Sequence, residues 1–159
     1  MTVSVIEADP NWSRELAVMT GELLSEIMEL IQQPAFRFDL AEAETNLHRY
    51  LSEQTYHVFV AIDASREVQA AGFVSACESH AIYAGGAFGT IPELYVRPEY
   101  RRRGIGRSLM EALRAHSQQC GWKRLEVTTP PLPEFRDTLA FYEREGFSVT
   151  GGRKLQLGL

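Results

Sequence analysis

Cysteine is scarce: Cys77 and Cys120 are the two in 159 residues, far apart and outside any Cys-x-x-Cys pair, so the sequence suggests neither a zinc cage nor a disulfide framework. Long apolar runs are missing as well, since nothing approaches the roughly 18 consecutive apolar residues of a membrane span. The first ten residues carry Glu7 and Asp9 where a secretory signal has a basic end, and the expectation is an unexported, cytoplasmic chain with no membrane partner. Basic residues do not dominate either. Sixteen Lys and Arg stand against 21 Asp and Glu, a net charge of −5, which argues against a nucleic-acid partner. No low-complexity stretch, repeat or Gly/Ser linker interrupts the chain, so residues 1–159 read as a single domain. What is present, 45% hydrophobic and 23% charged residues, suffices for one ordinary core.

The pattern alternates between strand and helix periods. Val3 to Glu7 reads as a strand, and Asp9-Pro10 as the cap and first turn of a helix. Leu16, Met19, Leu23, Ile27 and Leu30 form its apolar stripe, which ends near Gln33-Pro34. Asp39 with Glu42 resembles a capping box opening a second helix through Leu40, Leu47 and Leu51. Tyr56 to Ile62 and Val68 to Cys77 read as a hairpin around the turn Asp63 to Glu67. Ala84 to Gly89 reads as a glycine-rich loop and Thr90 to Arg97 as one strand stopped by Pro98. A helix through Ile105, Leu109, Leu113 and His116 should close at Gly121, followed by a strand Lys123 to Thr129 and a stiff connector Pro130 to Pro133. A last helix, Glu134 to Glu145, ends at Gly146, and Phe147 to Val149 with Lys154 to Leu157 reads as a terminal pair of strands. The fold class is α/β (α+β).

The densest signal lies between Arg97 and Arg107, where five arginines (97, 101, 102, 103 and 107) face one acid, Glu99, a local charge of +4. This cluster follows a strand and opens a helix, where free N–H groups and the helix dipole already favour an anion. Arginine adds bidentate phosphate contacts, and Gly104 and Gly106 lack the Cβ that would keep phosphate oxygens from the main chain. A pyrophosphate is the expected guest. Gly106 is followed by Arg107, which excludes a Walker loop, and Leu109 occupies the place of the third Rossmann glycine.

Arg101-x-x-Gly104-x-Gly106 after Glu93-Leu94-Tyr95-Val96 resembles motif A of the GCN5-related N-acetyltransferase (GNAT) superfamily. The likeness runs through Leu109, Leu113 and Gly121-Trp122, and resumes at Ala140-Phe141-Tyr142-Glu143-Arg144-Glu145-Gly146-Phe147, similar to the family's A-x-x-Y-E-x-x-G-F block. It implies a mixed central sheet splayed in a V between the motif A strand and the following strand, flanked by about four helices, with acetyl-CoA as co-substrate and no metal. By that resemblance Arg101, Arg102, Arg103, Gly104, Ile105, Gly106 and Arg107 wrap the CoA pyrophosphate, mainly through backbone N–H groups. Leu94, Tyr95 and Val96 pair their main chain with pantetheine, and Tyr142 hydrogen-bonds the CoA sulfur and can protonate it. Where the family often has asparagine six residues before this tyrosine, the chain has Arg136, with Thr138 as a stand-in.

Acetyl transfer to an amine needs a base, oxyanion stabilisation and a proton for the thiolate. Alternation puts Glu93 and Tyr95 on one face of their strand and Leu94 and Val96 on the other, and a buried Glu93 can act as general base directly or through water. The alternative is that Glu93 merely pairs with Arg97. Oxyanion stabilisation would come from a main-chain N–H near Tyr95. His80, Tyr83 and Cys77 are weaker candidates, with structural roles expected. Glu22, Glu26 and Glu29 share a helix face that could attract a cationic amine acceptor. Direct transfer to a primary amine of a small molecule or protein is the leading expectation. A non-catalytic acyl-CoA sensor and a general phosphate-binding module are the rivals, and a homodimer stays open by family analogy.

Overall fold

The six strands and four helices follow from where apolar periods change along the chain. A computed structural model describes residues 2–67 and 69–159. Strand β1 spans Val3–Glu7, after which Asp9 caps a short 3-10 turn by accepting the Asn11 N–H at 2.8 Å. Helix α1 runs Ser13–Ile31 and stops at Gln32, whose backbone turns left-handed. Leu16, Met19 and Ile27 of its stripe are buried, but Leu30 lies half-exposed on the last turn, where no neighbouring element covers it. The N-cap half of the expected capping box is present: the Asp39 carboxylate accepts the Glu42 N–H at 2.8 Å and starts α2, Leu40–Ser52.

Strands β2 (His57–Asp63) and β3 (Gln69–Ala81) form the expected hairpin; Val68, the expected first residue of the second strand, lies outside the described residues. β3 is longer than its sequence pattern implied and serves two partners. Its second half pairs with β4, Gly86–Ile91, and its first half with β5, Leu94–Val96. Two expectations are corrected here. The glycine-rich segment is mostly strand, because β3 extends to hold it, and the single strand expected over Thr90 to Arg97 is broken at Pro92-Glu93, since proline cannot donate to a ladder.

Helix α3, Ile105–Gln119, leads to the short strand β6, Leu125–Val127, which lies parallel to β4 with Ile91 opposite Val127. The sheet order is β1-β2-β3-β4-β6, with β5 paired to β3 alone. β4 and β6 therefore meet, while β5 and the chain after β6 part: this is the expected V. Helix α4 spans Arg136–Arg144. Residues 147–159 form no strand, contrary to the expected terminal pair, and Val149, Leu155 and Leu157 are exposed. An isolated two-stranded ribbon buries too little to hold itself.

Two cores sandwich the sheet. Leu16, Met19, Leu47, Leu51, Val60 and Phe73 close it on the α1/α2 side, and Val74, Ile91, Ile105, Leu109, Met110 and Leu113 on the α3 side. Their near-complete burial fixes the relative positions of β5 and the N-terminus of α3.

Candidate active site

The site begins at β5. Ser75 N–H donates to the Glu93 carbonyl at 2.9 Å, and Arg97 N–H to the Ala71 carbonyl at 2.9 Å, so alternate residues of this segment face β3. Antiparallel geometry then turns the main-chain groups of Leu94 and Val96 into the gap, while those of Tyr95, opposite Phe73, point at β3. The strand edge thus offers donors and acceptors at Leu94 and Val96, and the N–H groups near Tyr95 that could face an oxyanion are theirs. The Val96 carbonyl is partly spoken for, accepting Arg101 Nε at 2.8 Å.

Side chains alternate as the sequence implied. Tyr95 is buried against the α1/α2 core, and Leu94 and Val96 pack toward the α3 side. Glu93 shares the Tyr95 face and does not pair with Arg97. Its carboxylate accepts from the Ser75 hydroxyl, whose oxygen in turn accepts the Glu93 N–H at 3.1 Å, and it also accepts from the Tyr56 hydroxyl. Burial pushes the Glu93 carboxyl above its ordinary range, and the Ser75 and Tyr56 hydrogen bonds oppose that rise. Tyr56 was not singled out in the sequence because it belongs to the loop before β2, far from motif A in the chain. The same Tyr56 borders a recess of about 470 Å³ shared with Arg49, Tyr50, Glu53, Thr55, Cys77 and Glu78.

Arg97 instead reaches α1, donating to Glu22 at 3.0 and 2.9 Å, pairing with Glu15 at 3.0 Å, and donating to the Ala70 carbonyl at 2.9 Å. Arg101 makes a bidentate pair with Glu26 at 2.8 and 2.7 Å. The Glu22 and Glu26 carboxylates are thus engaged by arginines, and the Arg101 guanidinium clips β5 to α1; the expectation for residues 101–107 rested mainly on backbone N–H groups, which these pairs leave untouched. A pattern of like charges on one helix cannot show which cations the fold brings to it.

The turn itself is held open by backbone conformation. Arg102 adopts φ 60° and Gly104 φ 77°, and a Cβ on Gly104 would meet nothing within 4 Å, so glycine is needed there for its left-handed conformation. Gly106 serves differently. A Cβ there would lie 3.1 and 3.2 Å from two ring carbons of Phe141, so the glycine lets α3 pack closely on α4. No side chain of the described residues caps α3. The N–H groups of Ile105, Gly106 and Arg107 therefore converge at the positive end of a 15-residue helix, with exposed Arg102, Arg103 and Arg107 around them. Arg107 makes an exposed pair with Glu111 at 3.2 Å.

Tyr142 is 5% exposed, with its ring edge-on to Phe141 and Phe147, and burial pushes its phenol well above the ordinary range. It borders a cleft of about 1220 Å³ that runs beside β6 and beneath residues 147–154. That cleft does not include the α3 turn or β5, so it lies apart from the anion site and touches the candidate machinery through Tyr142. His80 is exposed and sits 3.6 Å from Glu78, Tyr83 is exposed under the Arg124 guanidinium, and Cys77 belongs to the sheet. His80 and Tyr83 do not join Glu93 in one site, whereas Cys77 lines the recess beside Tyr56.

Comparison with known proteins agrees with this geometry. A family model described as an acetyltransferase (GNAT) domain matches residues 54–149. A search of the curated proteins finds no match. Among solved structures, the chain is similar to ribosomal-protein-alanine N-acetyltransferase from Brucella melitensis biovar Abortus 2308, at 17% identity and TM-score 0.72, covering 99% of this chain and 100% of that one. It is similar to a "predicted acetyltransferase with acetyl-CoA" from Clostridium acetobutylicum, at 15% identity and TM-score 0.77, covering 99% and 96%. It is also similar to AAC(6')-Iy in complex with the bisubstrate analogue CoA-S-monomethyl-acetylneamine, at 15% identity and TM-score 0.78, covering 100% and 99%. At these identities the likenesses concern the fold. With more than half of its length matched by the domain model, and with the splayed sheet and uncapped helix in place, the chain belongs to the GNAT acetyltransferase family.

Proposed function

We propose that this chain is an acetyl-CoA-dependent N-acetyltransferase that passes the acetyl group directly to a primary amine. The observation that carries the reading is the placement of a half-buried, hydrogen-bonded Glu93 carboxyl one residue before the open edge of β5. The uncapped α3 N-terminus supplies N–H donors for the diphosphate, and Leu94 and Val96 supply strand-like pairing for the pantetheine amides.

In this reading the acceptor enters as an ammonium and must lose a proton to expose its lone pair. Glu93, its carboxyl raised toward neutrality by burial, takes that proton directly or through a water. The amine nitrogen then attacks the thioester carbonyl, the developing oxyanion meets a main-chain N–H of β5, and as the C–S bond breaks the nitrogen's remaining extra proton passes through water to the departing thiolate, giving the amide and the free thiol. Tyr142, kept neutral by burial, donates a hydrogen bond to the departing sulfur. A phenol raised above its usual value is a weaker acid than a thiol of pKa about 8.5, so it stabilises the leaving thiolate chiefly as a donor, and full proton transfer is uphill. The recess bordered by Tyr56, whose hydroxyl acts on Glu93, is the approach this reading gives the acceptor, lined by Glu53 and Glu78 on the one hand and Arg49 on the other.

The test follows free thiol while the protein meets acetyl-CoA and a panel of primary amines. Glu93→Gln is expected to lower kcat by about 10²–10⁴-fold with acetyl-CoA binding retained. Turnover unaffected by this change would remove Glu93 as the base, and CoA binding with no turnover on any amine would leave a binding module in place of an enzyme.

A further inference from the structure

At the opposite end of α3 from the anion turn, β1, β2 and the helix bring three metal-ligating side chains together, with a fourth, Cys120, beside one of them. Glu7, the last residue of β1, stands opposite Phe59 of β2, which places it on the same face as His57. His116 comes down from α3 onto this corner: its ring lies 4.4 Å from that of His57, centre to centre, and 5.5 Å from that of Phe59. One ligand atom from each of Glu7, His57 and His116 falls within 4.8 Å of the other two. Cys120, one turn beyond His116, puts its Sγ 3.3 Å from His116 Nε2.

We infer that Glu7, His57, His116 and Cys120 form a binding site for a zinc-class divalent transition-metal ion. Two imidazoles, a carboxylate and a thiolate are the borderline-soft mixture that zinc takes in tetrahedral sites. Zinc bonds of about 2.0–2.3 Å place neighbouring ligand atoms roughly 3.3–3.8 Å apart, so the Cys120–His116 spacing of 3.3 Å fits, the Glu7, His57 and His116 atoms must close in from within 4.8 Å of one another, and the exposed Cys120 side chain must turn toward Glu7 and His57. His116 and Cys120 stand four residues apart, the spacing that puts two ligands on one helix face. A partner shell surrounds them. The Trp122 ring stands edge-on to both imidazoles, and Trp122 Nε1 donates to Glu78 at 2.8 Å, which keeps a second carboxylate beside the cluster. Glu7 and Cys120 are exposed, which leaves the ion a path in from solvent. Eleven residues of helix separate His116 from Ile105, roughly 16 Å, so the metal would staple β1 and β2 to α3 without touching the proposed transfer site. The inference is independent of the acetyl-transfer reading.

Cobalt(II) and zinc chloride titrations of the untagged, chelator-stripped chain test it. Cobalt is expected to bind one per chain, giving an intense tetrahedral visible spectrum with a thiolate charge-transfer band, and one equivalent of zinc is expected to erase both. Cys120→Ser should remove the charge-transfer band alone. His116→Gln should weaken binding by more than about 100-fold, and Glu7→Gln, a change at an exposed strand end that leaves the fold intact by circular dichroism, by about 10-fold or more. Failure to bind stoichiometrically, a weak octahedral spectrum, or affinities indifferent to both His116→Gln and Glu7→Gln would overturn the assignment.

Discussion

The proposed mechanism rests on one carboxyl, Glu93, whose environment disfavours its charge. Burial raises its folded pKa above the unfolded value, so the folded protein holds the proton more tightly. The stability this contributes is complete below the unfolded carboxylate range and is lost as pH rises through the folded value. Glu93→Gln is therefore expected to melt higher than the parent at about pH 8 and level with it at about pH 4, which paired thermal scans would show. In kinetics the same shift should displace the acidic limb of kcat/KM above the usual carboxylate range, and Glu93→Gln should erase that limb. Tyr56→Phe removes a hydrogen bond that lowers the Glu93 pKa, so its limb should move to higher pH with the limiting rate largely kept. A limb that moved downward or stayed put would detach Tyr56 from the base.

At the scale of elements, the anion turn depends on how α3 and β5 are held. Arg97 and Arg101 tie the β5 end to Glu15, Glu22 and Glu26 of α1, and Gly106 lets α3 approach α4. Gly106→Ala should cost about 1–3 kcal/mol through overpacking against Phe141. Combined with Phe141→Leu, the loss should be smaller than the sum of the single changes by about 1 kcal/mol, because the smaller side chain makes room for the methyl. Equal additivity in denaturant melts would mean that Gly106 is required by something other than that ring. Helix caps and apolar stripes were legible in the sequence because they act within one turn: Asp39 with Glu42 and the Leu109–Leu113 row appear as read. The break of one strand into β4 and β5 was not, because it depends on β3 being long enough to serve both pieces. Nor were the arginine partners, since Arg97 and Glu22 lie 75 residues apart. The corner of Glu7, His57, His116 and Cys120 had one local hint, the i, i+4 pair on α3, and its other members come from two strands.

For the molecule as a whole, a protein of net charge −5 must offer a highly anionic co-substrate one favourable place. In the proposed reading the splayed sheet is that place. β4 and β6 remain paired as far as Ile91 and Val127, and beyond that point the open edge of β5 faces the end of a helix whose first N–H groups have no cap. The wide cleft beside β6 is a competing location, with Arg114, Arg124, Arg153 and Lys154 among its walls. A titration of ¹⁵N-labelled protein with CoA, followed by amide chemical shifts, separates the two. The largest changes are expected at Leu94, Val96, Ile105, Gly106 and Arg107, with the residues around β6 disturbed mainly near Tyr142. Shifts confined to residues 114–127 and 147–154, with the α3 turn silent, would contradict the account.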